Sequence, residues 1–205
     1  MPKQKPKVNL PELGFKKETK KTDTATVKDV FHEIDKRDEY QQRQIAIKGH
    51  LTSEPFYSLD VEYRDDSGKT KKVYGISISG VFDIAKNLHG IGTLGMPMPE
   101  HDEQNFVYHQ QVRNNKTDVT TIGVGIQSRM IKTANGVMED KFARIIAMAK
   151  AKRNGIRELL NNEDIENYFK KWYAEKFNKP CDRSEILIVG ENVNLKNFIN
   201  NKPLP

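Results

Sequence analysis

One predicted helix constrains this chain more than any other segment. At 100° per residue, residues 138–160 place Phe142, Ile145, Ile146, Ala149, Ile156 and Leu160 on a single apolar stripe. Lys150, Arg153 and Arg157 follow at i, i+3, i+7 along the edge of that stripe, with Arg153 angularly inside it. Ordinary solvation sends such charges to the far face, where Ala151 and Glu158 sit. A cation at the border of a core is partly desolvated and needs an anionic partner, either a carboxylate of the protein or a phosphate. Guanidinium suits phosphate because it is planar and donates two parallel bonds. The alternative is that Arg153 and Arg157 bridge to acids such as Asp164 or Glu166 and pin two helices together.

The charge distribution says more than the net +6 of the 205 residues. Residues 1–21 hold seven lysines against two glutamates, and residues 128–160 hold eight bases against three acids. A basic block on an ordered element is better support for an anionic partner than overall basicity. Cys181 is the single cysteine, which excludes an internal disulfide framework and a cysteine-based zinc site. That usage fits a reducing, cytoplasmic compartment. No apolar run reaches membrane-span length and no signal-like segment opens the sequence, so no membrane partner is expected.

Along the chain, residues 1–23 read as a disordered basic arm, residues 24–178 as one α+β domain, and residues 179–205 as an extension carrying a short strand. A helix begins near Thr26, with Val27, Val30, Phe31 and Ile34 at helical spacing. Strands are expected at 43–52, 57–64 and 70–78, the second alternating Tyr57, Leu59, Val61, Tyr63 against Ser58, Asp60, Glu62, Arg64. Asp65 to Gly68 form the hairpin turn between the last two. Ser79 is the expected cap of a short helix that buries Val81, Ile84, Ala85 and Leu88 and stops at Gly90. Residues 90–104 read as a Gly/Pro/Met loop, followed by strands at 105–113 and 118–131, helices at 138–160 and 163–177, and an apolar run from Ile186 to Val189. The class this predicts is α+β: a curved antiparallel sheet of about five strands packed on helices.

Several motifs are weak. Gly90-Ile91-Gly92-Thr93-Leu94-Gly95 spells G-x-G-x-x-G, but a helix precedes it and Met96-Pro97-Met98-Pro99 follows, so no helix N-terminus meets a pyrophosphate. His32, His50, His89, His101 and His109 are scattered, and Asp102 and Glu103 beside His101 form a poor cation site. Asp118, Glu139 and Lys141 resemble the carboxylates and lysine of a magnesium-dependent nuclease, yet Glu139 and Lys141 are expected in the first turn of a helix, where acids are favoured anyway. No catalytic grouping, metal or cofactor is therefore assigned. Tyr168, Phe169 and Trp172 have the spacing of a core stripe, while Tyr173, Tyr108 and the lysines 170, 171 and 176 are candidates to meet bases.

Taken together, Gly75-Ile76-Ser77-Ile78-Ser79, the helix Val81–Leu88, His89-Gly90-Ile91 and the run from Lys141-Phe142-Ala143 through Ala147-Met148-Ala149-Lys150-Ala151-Lys152-Arg153-Asn154-Gly155-Ile156-Arg157 to Leu160 resemble the Rad52-like single-strand annealing proteins of phages, archaeal viruses and mobile elements. The resemblance spans about residues 43–175. It implies a β-β-β-α core, assembly into a homo-oligomeric ring or filament, and pairing of complementary strands without nucleotide hydrolysis. On that reading the chain binds and anneals single-stranded DNA in recombination or replication. Lys152, Arg153, Asn154 and Arg157 carry over from the matching run; Lys150 follows from the helical geometry, and Arg129 and Lys132 complete the basic block. Replacing Arg153 and Arg157 together by alanine is then expected to weaken single-strand binding and leave the fold intact. The competing reading is a magnesium-dependent nuclease or other nucleic-acid processing factor. A third makes the lysine arm the sole nucleic-acid contact, so that removing residues 1–21 abolishes all binding.

Overall fold

The computed structural model describes residues 27–48, 54–64, 66–88, 90–189 and 198–200, with the side chains of 27–31 and 198–200 left out. The arm at 1–23 and the turn residue Asp65 lie outside the described residues. The chain is α+β. It runs α1 (Val27–Lys48), β1 (Phe56–Arg64), β2 (Thr70–Ile76), α2 (Ile78–Leu88), β3 (Ile91–Glu100), β4 (Asn105–Asn114), β5 (Val119–Ser128), β6 (Met130–Thr133), β7 (Gly136–Glu139), α3 (Ala143–Leu159), α4 (Asn162–Phe177), β8 (Ile186–Ile188) and β9 (Phe198–Asn200).

In place of one sheet of about five strands there are two sheets and a hairpin. The first has the order β8-β2-β1-β9, the second β3-β4-β5, and β6 pairs with β7. The first sheet is not purely antiparallel, because β8 joins β2 in parallel. Period-two alternation in β1 does what it predicts. Tyr57, Leu59, Val61 and Tyr63 share one face with Val73, Leu187 and Val189, and Ile34 of α1 packs on that face. On the opposite face Phe56, Tyr74 and Ile76 meet α2, α4 and the end of α3 in an aromatic-rich core. Phe169 stands edge-on to Phe56, their centroids 4.9 Å apart. Tyr173 is buried in this core rather than exposed, so it is not available to stack a base.

Four local expectations are corrected. Residues 43–48 continue α1 instead of forming a strand, so Ile45 and Ile47 belong to a helix. The expected loop at 90–104 is largely β3, which pairs with β4. As an edge strand it accommodates Pro97 and Pro99, which lack an N–H for a second neighbour. Its register slips between Leu94 and Met98, where Gly95 has φ +64° and the buried Gln110 amide donates to the Leu94 carbonyl at 3.1 Å. The expected strand 118–131 ends at Ser128, and the chain then forms the β6–β7 hairpin, so α3 starts at Ala143 rather than near 138. The cap of α2 is Ser77, whose Oγ accepts from Gly80 N at 3.0 Å, not Ser79.

The face of α3 is also rotated from the predicted stripe. Ile145 is 45% exposed, while Ala143, Ala147, Ala151 and Gly155 are buried at i, i+4 spacing. This small-residue row lies on β5, where Gly123 and Gly125 leave no side chain between the two backbones. Tyr108, on β4, is buried under Ala147 and Ala151, which removes it as a stacking candidate.

Candidate nucleic-acid interface

Packing α3 on β5 fixes where its cations go. Lys150 is 7% exposed, although it is charged. Its ammonium donates to Glu39 Oε1 at 2.8 Å and to Gln127 Oε1 at 3.0 Å. Arg153 donates from one terminal nitrogen to Asp35 at 2.9 Å and to Asp38 at 2.7 Å, and from Nε to Asn154 Oδ1 at 3.0 Å. Neither cation reaches Asp164 or Glu166. The carboxylates come from α1, more than a hundred positions away in sequence, so the helix pair being pinned is α1 and α3.

Asp38 is the fixed point of this seam. It is 0% exposed and accepts from Ile78 N at 3.0 Å and Tyr57 OH at 3.1 Å as well as from Arg153. Burial raises its pKa above the ordinary carboxylate value, opposed by the Arg153 charge and the donated hydrogen bonds. Burial disfavours the charged form of Arg153, but Asp38 and Asp35 outweigh it and its pKa is raised. Tyr57 is likewise pushed up by burial and by the Asp38 charge. At the start of α3, Arg43 donates to the buried Asp140 at 2.6 Å and lies 3.7 Å from Glu39, extending the ionic ladder along both helices.

Because Arg153 holds a buried carboxylate, the structure argues against the expectation that replacing Arg153 and Arg157 together leaves the fold intact. Leaving Asp38 sealed without its counter-ion is a stability defect before it is a binding defect.

The remaining candidates divide by location. Arg157 is half-buried; its hydrogen bond to Asn162 Oδ1 spans 3.4 Å, and no carboxylate among the described residues is within ion-pair reach. Burial alone lowers its pKa. Arg153, Asn154 and Arg157 line one wall of a cavity of about 150 Å³, with Asp35 of α1 and Ile34, Ile76, Val81 and Val189 lining the rest. Lys152 lies over the Phe82 ring at 4.7 Å. Asn154 donates to the Val124 carbonyl at 2.7 Å, so it fastens α3 to β5 as well as orienting Arg153.

Arg129 and Lys132 belong to a separate cluster near the start of α3. Arg129 donates to the carbonyls of Asn105 at 3.1 Å and Asp102 at 2.7 Å, and its guanidinium lies 4.6 Å from the Phe106 centroid. Lys132 is exposed on β6. Arg144, which the sequence reading did not single out, is exposed and approaches the same Phe106 ring at 5.2 Å. Arg144 and Arg157 are thirteen positions apart on α3, ~20 Å at 1.5 Å per residue, so the Phe106 cluster and Arg157 are at opposite ends of that helix.

The nuclease trio does not assemble. Asp118 is ion-paired with Arg113 at the β4–β5 turn, whereas Glu139 lies on β7, beyond the far end of β5. Glu139 is therefore on a strand, not in the helical first turn expected for it. Asp102 accepts from the backbone of Gln104 and Asn105 and from the Asn105 side chain, so it shapes a turn; the Asn105 backbone bond is the main cause of its lowered pKa. Among the described residues no group of three His, Cys, Asp or Glu is placed to hold a metal, and no helix is long and apolar enough to cross a membrane.

The geometry defines an α+β scaffold with basic side chains on α3 and on β6, of which Lys150 and Arg153 are neutralised by α1. No family model matches the chain, and neither a curated protein nor a solved structure shows significant similarity to it.

Proposed function

We propose that this chain binds single-stranded DNA along the exposed edge of α3 and anneals complementary strands, acting as a homo-oligomer without nucleotide hydrolysis. The supporting observation is Arg157: a partly buried guanidinium, beside Arg153 and Asn154 in a cavity, with no carboxylate among the described residues within ion-pair reach. A phosphate supplies the missing charge and matches the planar donor pair. Lys152 adds a further cation on α3, and Lys132 and Arg144 belong to a second basic group toward the start of that helix. The annealing part of the reading rests on the resemblance of residues 141–160 to Rad52-like proteins, since the β6–β7 hairpin separates β3-β4-β5 from α3.

The test is fluorescence anisotropy with a labelled thymidine oligomer over a salt series. Arg157→Gln weakens binding and lowers the slope of log K against log salt by ~0.7, the loss of one phosphate contact on a single strand. An unchanged affinity and slope would remove the support for this reading.

Assembly has its own support. The face of β3-β4-β5 turned away from α3 exposes Leu94 and Met98 on β3 and Ile122, Val124 and Ile126 on β5. Large apolar side chains left exposed on one sheet face are the kind of surface that subunit contacts cover, and among the described residues β3 and β5 have no further strand neighbour. Ile122→Glu with Ile126→Glu is expected to convert an oligomer to monomer in light scattering; a wild-type protein that is already monomeric at working concentration refutes the assembly.

A further inference from the structure

We propose that Asp35 and Glu39 of α1 are a built-in phosphate mimic, occupying Arg153 and Lys150 in the free protein and yielding when nucleic acid binds. The inference rests on the nucleic-acid reading above and names the regulation of that same surface.

The three acids that α1 presents to α3 are not equivalent. Asp38 is sealed and held by a backbone N–H, a phenol and a guanidinium, so it is architecture. Asp35 is 38% exposed at its side chain, and its ion pairs go to Arg153 at 2.9 Å and Lys150 at 3.9 Å. Glu39 is 21% exposed and pairs with Lys150 at 2.8 Å and Arg43 at 3.7 Å. Asp35 and Glu39 lie four residues apart, so their carboxylates project from one face about 6 Å apart along the helix. They present two negative charges in a row to cations that, by their place on α3, face the same side as the unneutralised Arg157.

What makes the contact reversible is the partner each cation keeps. If Asp35 swings into solvent, Arg153 retains Asp38 and Asn154. If Glu39 does so, Lys150 retains Gln127 and Arg43 retains Asp140. When Glu39 alone leaves, Lys150 also keeps the Asp35 carboxylate at 3.9 Å. Displacement of one outer acid at a time therefore strands no buried charge, and when both leave the incoming phosphate takes over as counter-charge of Lys150. Asp35 also lines the cavity that Arg157 lines, so its charge opposes any anion entering there. Nucleic acid therefore gains Arg157 directly and Arg153 and Lys150 only by exchange.

The experiment compares single-strand affinity of the full chain with that of Asp35→Asn/Glu39→Gln, and with a control, Glu103→Gln/Glu175→Gln, which removes two exposed acids elsewhere. At constant salt the α1 double variant is expected to bind the labelled thymidine oligomer ~10-fold tighter, because two carboxylates beside the binding cations no longer compete, while the control tightens by ~2-fold or less. Equal tightening by the control attributes the effect to bulk charge and overturns the mimic, as does unchanged or weaker binding by the α1 variant. If thermal melting shows that the double variant is unfolded, Asp35→Asn alone decides, since Lys150 then keeps both Glu39 and Gln127. A wild-type chain that binds normally while the α1 variants match it sinks the mimic and spares the nucleic-acid reading. Absence of binding by every protein at low salt sinks both.

Discussion

Arg153→Ala lowers the unfolding free energy by ~3–5 kcal/mol, the range for removing one partner of a buried ion pair. Domains are stable by only about 5–15 kcal/mol, so this one change brings the chain near the limit of folding. The reason is Asp38. With Arg153 gone, a fully buried carboxylate keeps the Ile78 amide and the Tyr57 hydroxyl but no positive charge. Ionised, it is uncompensated; protonated, it can serve only part of the site. Urea unfolding followed by Trp172 fluorescence measures the loss, because that indole sits among Phe56, Tyr74 and Phe169. Adding Asp38→Ala to Arg153→Ala is expected to cost much less than the two single losses together, as double-mutant cycles find for contacting charges. Arg157→Gln should move the urea midpoint little, since no carboxylate depends on it. A midpoint for Arg153→Ala that coincides with wild type would show that Asp38 does not need its guanidinium. Arg157, not Arg153, is consequently the residue on which the binding reading should be judged.

The contrast between these two arginines shows which parts of the molecule the sequence carried. Helical geometry located Arg153 at the border of a core and required an anion for it, and the structure supplies one. Which anion it was lay beyond reach, because the acids of α1 are separated from it by more than a hundred residues and no local period links them. Period-two alternation made β1 legible because one of its faces is buried against α1. The edge strand β3 had no such signature: Gly92, Gly95, Pro97 and Pro99 read as loop chemistry, and only pairing with β4 makes them a strand. For α3, the large apolar residues pointed the stripe toward Ile145. Its actual seat is set by small residues, which carry little hydrophobic weight but permit backbone contact.

That backbone contact gives the second large effect, and it governs the site as well as the fold. A Cβ at Gly125 would stand 2.0 Å from the Ala147 carbonyl oxygen and 2.3 Å from the Ala151 nitrogen. At Gly123 it would meet the Ala151 carbonyl and the Gly155 nitrogen, each at 2.1 Å. The atoms in the way are helix backbone, so no rotamer change relieves the overlap and α3 must lift off β5. Gly125→Ala is therefore expected to destabilise by ~3 kcal/mol or more, at or above the upper part of the range for overpacking. Gly92→Ala, with open space around it, is the matched control and should stay within ~0.5 kcal/mol of wild type. Gly123→Ala and Gly125→Ala combined should cost less than the sum, because one displacement of α3 serves both. The same displacement moves Lys150 and Arg153 away from Glu39, Asp35 and Asp38, so whatever fraction stays folded also loses the α1–α3 ion pairs. A Gly125→Ala protein with wild-type stability would mean that α3 does not rest on β5 through glycine, and the placement of every cation on that helix would have to be revised.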